Sequence, residues 1–388
     1  MKKITFILIP ILIISFFSCQ PKAQDKEEVT PKAMVTVDYQ MAEKAIQWLE
    51  FVKTNPGMEN IRQRFMEEVA PTKGCQSIIH HWERFKEWDT EKFYTFIMEA
   101  LQKIPTDKPL KNEDGSLTSF GMRQKLWISA LENTDQLKQD LHQLKKAQVK
   151  DAALSLARKY LPDDADISNQ FYVVLFGASS AFSVGEENGY DLLQLPETPT
   201  GEVYVENVIE TFAHEMHHSG FSSCTEKHMT DVEDKEKLFL VELLAAEGMP
   251  THFINQVRSN LNKMKSSKNE MYQMLASQWE KNLDRLPELY QEAEKDVMLN
   301  MKGEITPQEI LEKWMSGLQG PAYVVGSDMF AVIENHLGLE EAKKVAQDYR
   351  HFLSIYNQAA EKAHTAGQKA FIFDKKVAEQ LQEFTGGN

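Results

Sequence analysis

The chain has 388 residues, 42% of them apolar and 10% aromatic, enough to bury one large core or two intimate ones. A formal net charge of -15 excludes the basic footprint of a nucleic-acid-binding protein and disfavours anionic lipid surfaces as ligands. Three cysteines are too few for a disulfide scaffold in a chain of this length.

At the N-terminus, Lys2 and Lys3 precede an almost uninterrupted apolar run over residues 4–17, which ends at Ser18-Cys19. A basic start, an apolar stretch and a small residue are the layout of a secretory signal, here residues 1–18. The stretch is shorter than the roughly 20 apolar residues of a membrane-spanning helix. Phe16-Phe17-Ser18-Cys19 is similar to a bacterial lipobox, which implies a lipid on Cys19 and an exported, membrane-anchored protein facing the periplasm or the cell surface. Residues 19–37 then act as a tether, because 20–32 (QPKAQDKEEVTPK) carry too few apolar residues to fold. With Cys19 lipidated, Cys75 and Cys224 remain, and they pair only if their Cα atoms approach.

Residues 38–165 form an N-terminal helical region. Apolar residues recur at three- and four-residue spacing over 39–52, 58–69, 91–104 and 121–160, with turn clusters at 106–109 and 112–116. The catalytic region is expected over 166–388. It opens with β-branched and aromatic residues at 171–176 (FYVVLF) and a second extended run at 190–195, separated by loops at 177–180 and 185–189. These predict a small sheet of two to four strands, followed by a chain break at 198–201. Helical patterning resumes at 202–219 and recurs at 235–246, 269–301, 307–318, 327–337 and 339–356. The fold class is therefore α+β, predominantly α-helical, with a small sheet ahead of one particular helix.

That helix carries His214-Glu215-Met216-His217-His218. Four-residue spacing puts the His214 and His218 imidazoles on one face, one turn apart, where both reach a single cation. Two histidine nitrogens suit Zn²⁺, and the adjacent Glu215 is placed to act as a general base on an attacking water. A catalytic zinc site needs a third protein ligand. A metzincin would require Gly at 221 and His at 224, and the chain has Phe221 and Cys224. Glu247 is the better candidate, a carboxylate in an otherwise apolar helix, beside Gly248, which leaves room for a second helix. Glu242 is its rival, but five residues' separation keeps the two off one helical face. His217 lies off the ligand face. His80, His81 and His142 read as packing or surface residues, while His228, in a loop over 224–234, and His252 could approach the site but lack supporting spacing.

The two segments together, His-Glu-x-x-His and a later Glu-Gly, resemble the gluzincin metallopeptidases, a zincin-type fold in which the glutamate of such a pair is the third zinc ligand. The longer pattern, through residues 320–329 (GPAYVVGSDM) and 351–357 (HFLSIYN), is similar to a family of proposed zinc-dependent peptidases among bacterial lipoproteins. It covers roughly residues 165–360 and the lipoprotein start. The resemblance implies Zn²⁺ held by His214, His218 and Glu247, a peptide or protein substrate, and an oxyanion donor from a later segment, for which Tyr323 is the candidate. Pro250 departs from the pattern and predicts a kink just after the ligand. Two other readings stand beside a zinc peptidase. One is a non-catalytic binding lipoprotein on the same scaffold, against which the intact Glu215 argues. The other is a zinc hydrolase of a non-peptide amide.

Overall fold

A computed structural model describes residues 32–386, apart from 55, 84–87, 113–116, 178–180, 195–200, 268–269 and 318. The secretory signal, Cys19 and most of the tether lie outside the described residues, as does most of each predicted break at 112–116, 177–180 and 198–201. The chain divides into two compact units: Val35–Asp151 with Asn169–Ile209, and residues 32–34 with Ala152–Ser168 and 210–386.

The first unit holds the sheet and the early helices. Strand β1 (Ala33–Asp38) lies where the tether was expected to end. Its alternation of Val35 and Val37 with Met34, Thr36 and Asp38 is a short period-2 pattern that a polar flank obscures in the sequence. Then come α1 (Gln40–Lys53), α2 (Met58–Arg64), α3 (Lys73–Glu83), α4 (Thr90–Ala100), α5 (Ser119–Glu132), α6 (Thr134–Lys146) and α7 (Val149–Lys159), which runs on into the second unit. Local chemistry marks their starts: Asp89 accepts from Lys92 N at α4, and Thr118 from Gly121 N at α5. The single helix expected over 121–160 is instead three. Asn133 and Gln148, the latter with a left-handed φ of 49°, interrupt a periodicity that carries on across the breaks.

Strands β2 (Ile167–Val174), β3 (Ala181–Val184) and β4 (Glu187–Asp191) complete a four-stranded sheet in the order β1-β2-β4-β3. β2 and β4 run parallel, while β3 and β4 form an antiparallel hairpin. This corrects the loop expected at 185–189, because only Gly185 and Glu186 turn the chain. Gly189 reads as a breaker, yet it pairs with Phe182, whose ring occupies the space a side chain at 189 would need. The Asp191 carboxylate accepts the backbone N–H groups of Phe176, Gly177 and Leu193, tying the end of β2 to the end of β4.

Helix α8 (Gly201–His228) begins in the first unit and continues in the second, nine residues beyond the predicted end at 219. The second unit continues with α9 (Phe239–Phe253), α10 (Val257–Lys265), α11 (Glu270–Asp284), α12 (Leu286–Met301), α13 (Pro307–Trp314), α14 (Pro321–Leu337), α15 (Leu339–Gln347), α16 (Phe352–Thr365) and α17 (Lys375–Gln382). Every residue of α9 except His252 is buried, the mark of a helix surrounded on all sides. Its main partner is α14, which also packs on α16. The runs expected to be helical over 269–301 and 339–356 are each interrupted instead, at Arg285 between α11 and α12 and at Asp348 after α15. Helix α13 carries a full capping box, Thr306 with Glu309, and Pro307 opens its first turn. Pro250 does not end α9. It stands in the last turn, so only one intrahelical bond is forgone, and the helix runs on to Phe253. Cys75 and Cys224 are buried free thiols. Among the described residues, no helix is long and apolar enough to cross a membrane.

Candidate metal centre

The centre lies within the second unit. On α8, Phe212, Ala213 and Met216 are fully buried, which fixes the rotation of the helix. His214 and His218 then emerge on a neighbouring face, their rings 4.6 Å apart and tilted by 71°. Helix α9 brings Glu247, whose side chain has no exposure to solvent, to meet them. Its Oε2 lies 3.3 Å from His214 Nε2 and 3.6 Å from His218 Nε2. One ligand atom from each of the three residues falls within 4.8 Å of the others. Among the described residues, no other group of three such side chains does so.

The electrostatics follow from this convergence. Burial alone would push the Glu247 carboxyl up, but the charges of His218 and His214 and the bond from His214 outweigh it and hold the group at about 2. Burial pulls His214 down, and the Glu247 bond and charge, the Glu215 charge and the Asn255 bond together raise it. The donor set also fits a cation. Glu247 Oε1 and both ring nitrogens of His218 are buried without a hydrogen-bond partner. A buried carboxylate oxygen and two imidazole nitrogens left unsatisfied are costly unless something binds them, and two histidines with one carboxylate are a zinc-type ligand set.

Around this group, Glu215 is buried next to His214. Tyr323 sits in the first turn of α14, inside the helix rather than ahead of it as the sequence suggests. Burial drives its phenol well above the usual tyrosine range, and the nearby carboxylates of Glu247 and Glu215 add to the effect. The structure thus gathers His214, His218, Glu247, Glu215 and Tyr323 in one place. Glu242 stands apart: it is buried against Tyr349, whose hydroxyl donates to it at 3.4 Å.

None of the other histidines joins the group. His217 is fully buried beside Phe221, and burial, then the charges of His218 and His214, holds it well below its ordinary range and neutral. His228 pairs with Asp164 at 2.7 Å and lies in α8 rather than in a loop; His252 pairs with Glu334 at 2.8 Å. His80 lies 3.8 Å from Glu187, His81 is buried near the Phe182 ring, and His142 is exposed. One neighbour escapes sequence reasoning altogether. Asn255 places its Oδ1 2.6 Å from His214 Nδ1. Its only trace in the sequence is its position about two helical turns beyond Glu247.

Two features define the class to which this site belongs: a His-Glu-x-x-His helix and a second, buried helix supplying a carboxylate, together a candidate metal-binding centre. The chain belongs to the family whose model is described as "Putative zinc dependent peptidase (DUF5700)", which matches residues 66–365. No curated protein and no solved structure matches it.

Proposed function

We propose that the protein is a zinc-dependent peptidase, with His214, His218 and Glu247 as the metal ligands. The observation that carries the reading is the buried meeting of those three side chains with Glu215 beside them, in a chain whose family is described as zinc dependent. A zinc ion bound there would supply Lewis-acid polarisation of the scissile carbonyl and of water.

The chain's own residues do the rest. Glu215 takes a proton from the water as its oxygen bonds to the carbonyl carbon, and gives that proton to the departing amine nitrogen as the C–N bond breaks. The Tyr323 hydroxyl, kept protonated by burial and by the two carboxylates, donates to the oxyanion that develops on the carbonyl oxygen. The burial of His214, Glu215 and His218 keeps bulk water from competing for these bonds. The same proposal includes export and a lipid anchor on Cys19, which lies outside the described residues.

Metal analysis of the purified protein tests the reading. About one zinc per chain is expected in the parent, and a large loss in His218→Ala and in Glu247→Ala. Glu215→Gln is expected to keep its zinc and to lose hydrolysis of a casein-type substrate by about 10²–10⁴-fold. A parent that takes up no zinc on reconstitution sinks the proposal. Full zinc retention in Glu247→Ala removes the third ligand from it.

A further inference from the structure

The two motif histidines are held differently. His218 makes no hydrogen bond through either ring nitrogen, whereas His214 is engaged at both. Its Nε2 faces Glu247 Oε2 at 3.3 Å, and its Nδ1 faces Asn255 Oδ1 at 2.6 Å. A histidine that ligates through Nε2 must carry its proton on Nδ1, and a carbonyl-type oxygen can only accept. Asn255 Oδ1 is therefore the acceptor that keeps the proton on Nδ1 and the Nε2 lone pair turned toward the ligand group.

Asn255 is itself held by its backbone. Its N–H donates to Pro250 O at 3.0 Å, and its carbonyl accepts from Asn260 Nδ2 at 3.3 Å. The next residue, Gln256, turns the chain into the left-handed region with φ 47° and ends the segment. The Pro250 carbonyl also accepts from Ile254 N at 2.9 Å, so the proline anchors the turn that presents Asn255. A single piece of chain thus supplies Glu247 and, about two turns later, the partner that aims His214. The acceptor is also neutral. Glu247 and Glu215 already place two carboxylates here, and an amide orients the ring without adding a third.

We propose that Asn255 is a positioning residue, fixing the tautomer and the ring orientation of His214 for metal binding; this rests on the zinc reading of the site. The test is the zinc dissociation constant of the full chain, by chelator competition, together with the visible absorption of the Co²⁺-substituted protein. Asn255→Ala is expected to weaken zinc binding by 10- to 100-fold and to alter the Co²⁺ spectrum. Asn255→Leu, which keeps the side chain's volume but not its acceptor, should show the same loss. Asn255→Asp, which restores an acceptor, should return the affinity to within a few-fold of the parent. Parental zinc affinity and an unchanged Co²⁺ spectrum in either folded Ala or Leu variant overturn the proposal, as does an Asp variant as weak as the other two. A parent that binds no zinc is seen before any variant is compared, and rejects the zinc reading itself.

Discussion

Gly248 of α9 and Gly326 of α14 meet backbone to backbone: a Cβ on Gly248 would stand 2.5 Å from the Gly326 Cα, and one on Gly326 would stand 2.8 Å from the Gly248 Cα. Nothing larger than hydrogen fits on either side of this crossing. The consequence reaches the metal centre, because Glu247 is the neighbour of Gly248 and Tyr323 lies one turn before Gly326. The glycine pair lets the helix bearing the carboxylate and the helix bearing the phenol lie close together.

Substitution at this crossing should reverse an ordinary rule. Alanine in place of a helical glycine usually gains about 1 kcal/mol. Gly326→Ala instead drives a methyl group into the Leu244 carbonyl and the Gly248 Cα, and overpacking of this kind costs about 1–3 kcal/mol or more. The expected result in urea unfolding is a net loss of stability. Gly57→Ala, with open space around it but at the N-cap of α2, where alanine is the poorer residue, should lose less, about 0.5–1 kcal/mol. A Gly326→Ala protein as stable as the parent would show that the helices do not cross this closely.

Tyr323→Phe removes one hydroxyl and little volume. If that hydroxyl meets the oxyanion, kcat/KM should fall by about 10²–10³-fold while zinc content stays at the parental level. An unchanged rate would return Tyr323 to the ordinary packing of a first helical turn.

Glu242 gives a stability signature with a definite sign. Burial pushes its carboxyl up to about 7, only partly offset by Lys235 and by the bond from Tyr349. In the unfolded chain the group titrates near its ordinary value of about 4.3, so between those two values the folded protein binds the extra proton. Stability tied to this group is thus fully present below pH 4 and is lost as the pH rises toward 7. At about 1.4 kcal/mol per pH unit, the loss is on the order of 3 kcal/mol. Glu242→Gln should match the parent in urea unfolding near pH 4 and exceed it at pH 7.5. Equal pH slopes in parent and variant would contradict the buried-acid account.

Removal of the metal should lower the melting temperature, because an ion bound only by the folded state adds stability by mass action. With free zinc at about 1,000 times its dissociation constant, the gain is about 4 kcal/mol. Calorimetry of the protein with and without chelator reads it directly, and identical melting curves would count against a folded-state site.

The two described cysteines should be silent to thiol reagents. Burial pushes both Cys75 and Cys224 up to about 12, so neither offers a thiolate at neutral pH. Mass spectrometry after alkylation should find both unmodified in the native protein and both modified after denaturation. Fast native labelling of either would show that its cover opens.

Much of the centre was legible from the sequence because it depends on local geometry. Four-residue spacing brings His214 and His218 together on any helix, whatever surrounds it. Glu247 stood out as a carboxylate in an apolar helix, since an isolated buried charge is too costly to be incidental. The predominantly helical α+β class followed from periodicity in the same way, and the chain alone excluded a metzincin-type third ligand through Phe221 and Cys224. What escaped was whatever depends on segments meeting across the chain. Asn255 has no periodic or motif signal; only its distance from His214 reveals it. Gly189 looks like a loop residue until Phe182 covers it, and Gly326 stands just ahead of the helix expected over 327–337 until Gly248 is seen against it. The sequence by itself determined which residues could bind a cation and that two of them share a helical face. The tertiary structure decided that Glu247 rather than Glu242 meets them, because helix α9 is buried almost all round and its sequence alone does not select which carboxylate turns toward the histidines; its tertiary packing, chiefly against α14, does.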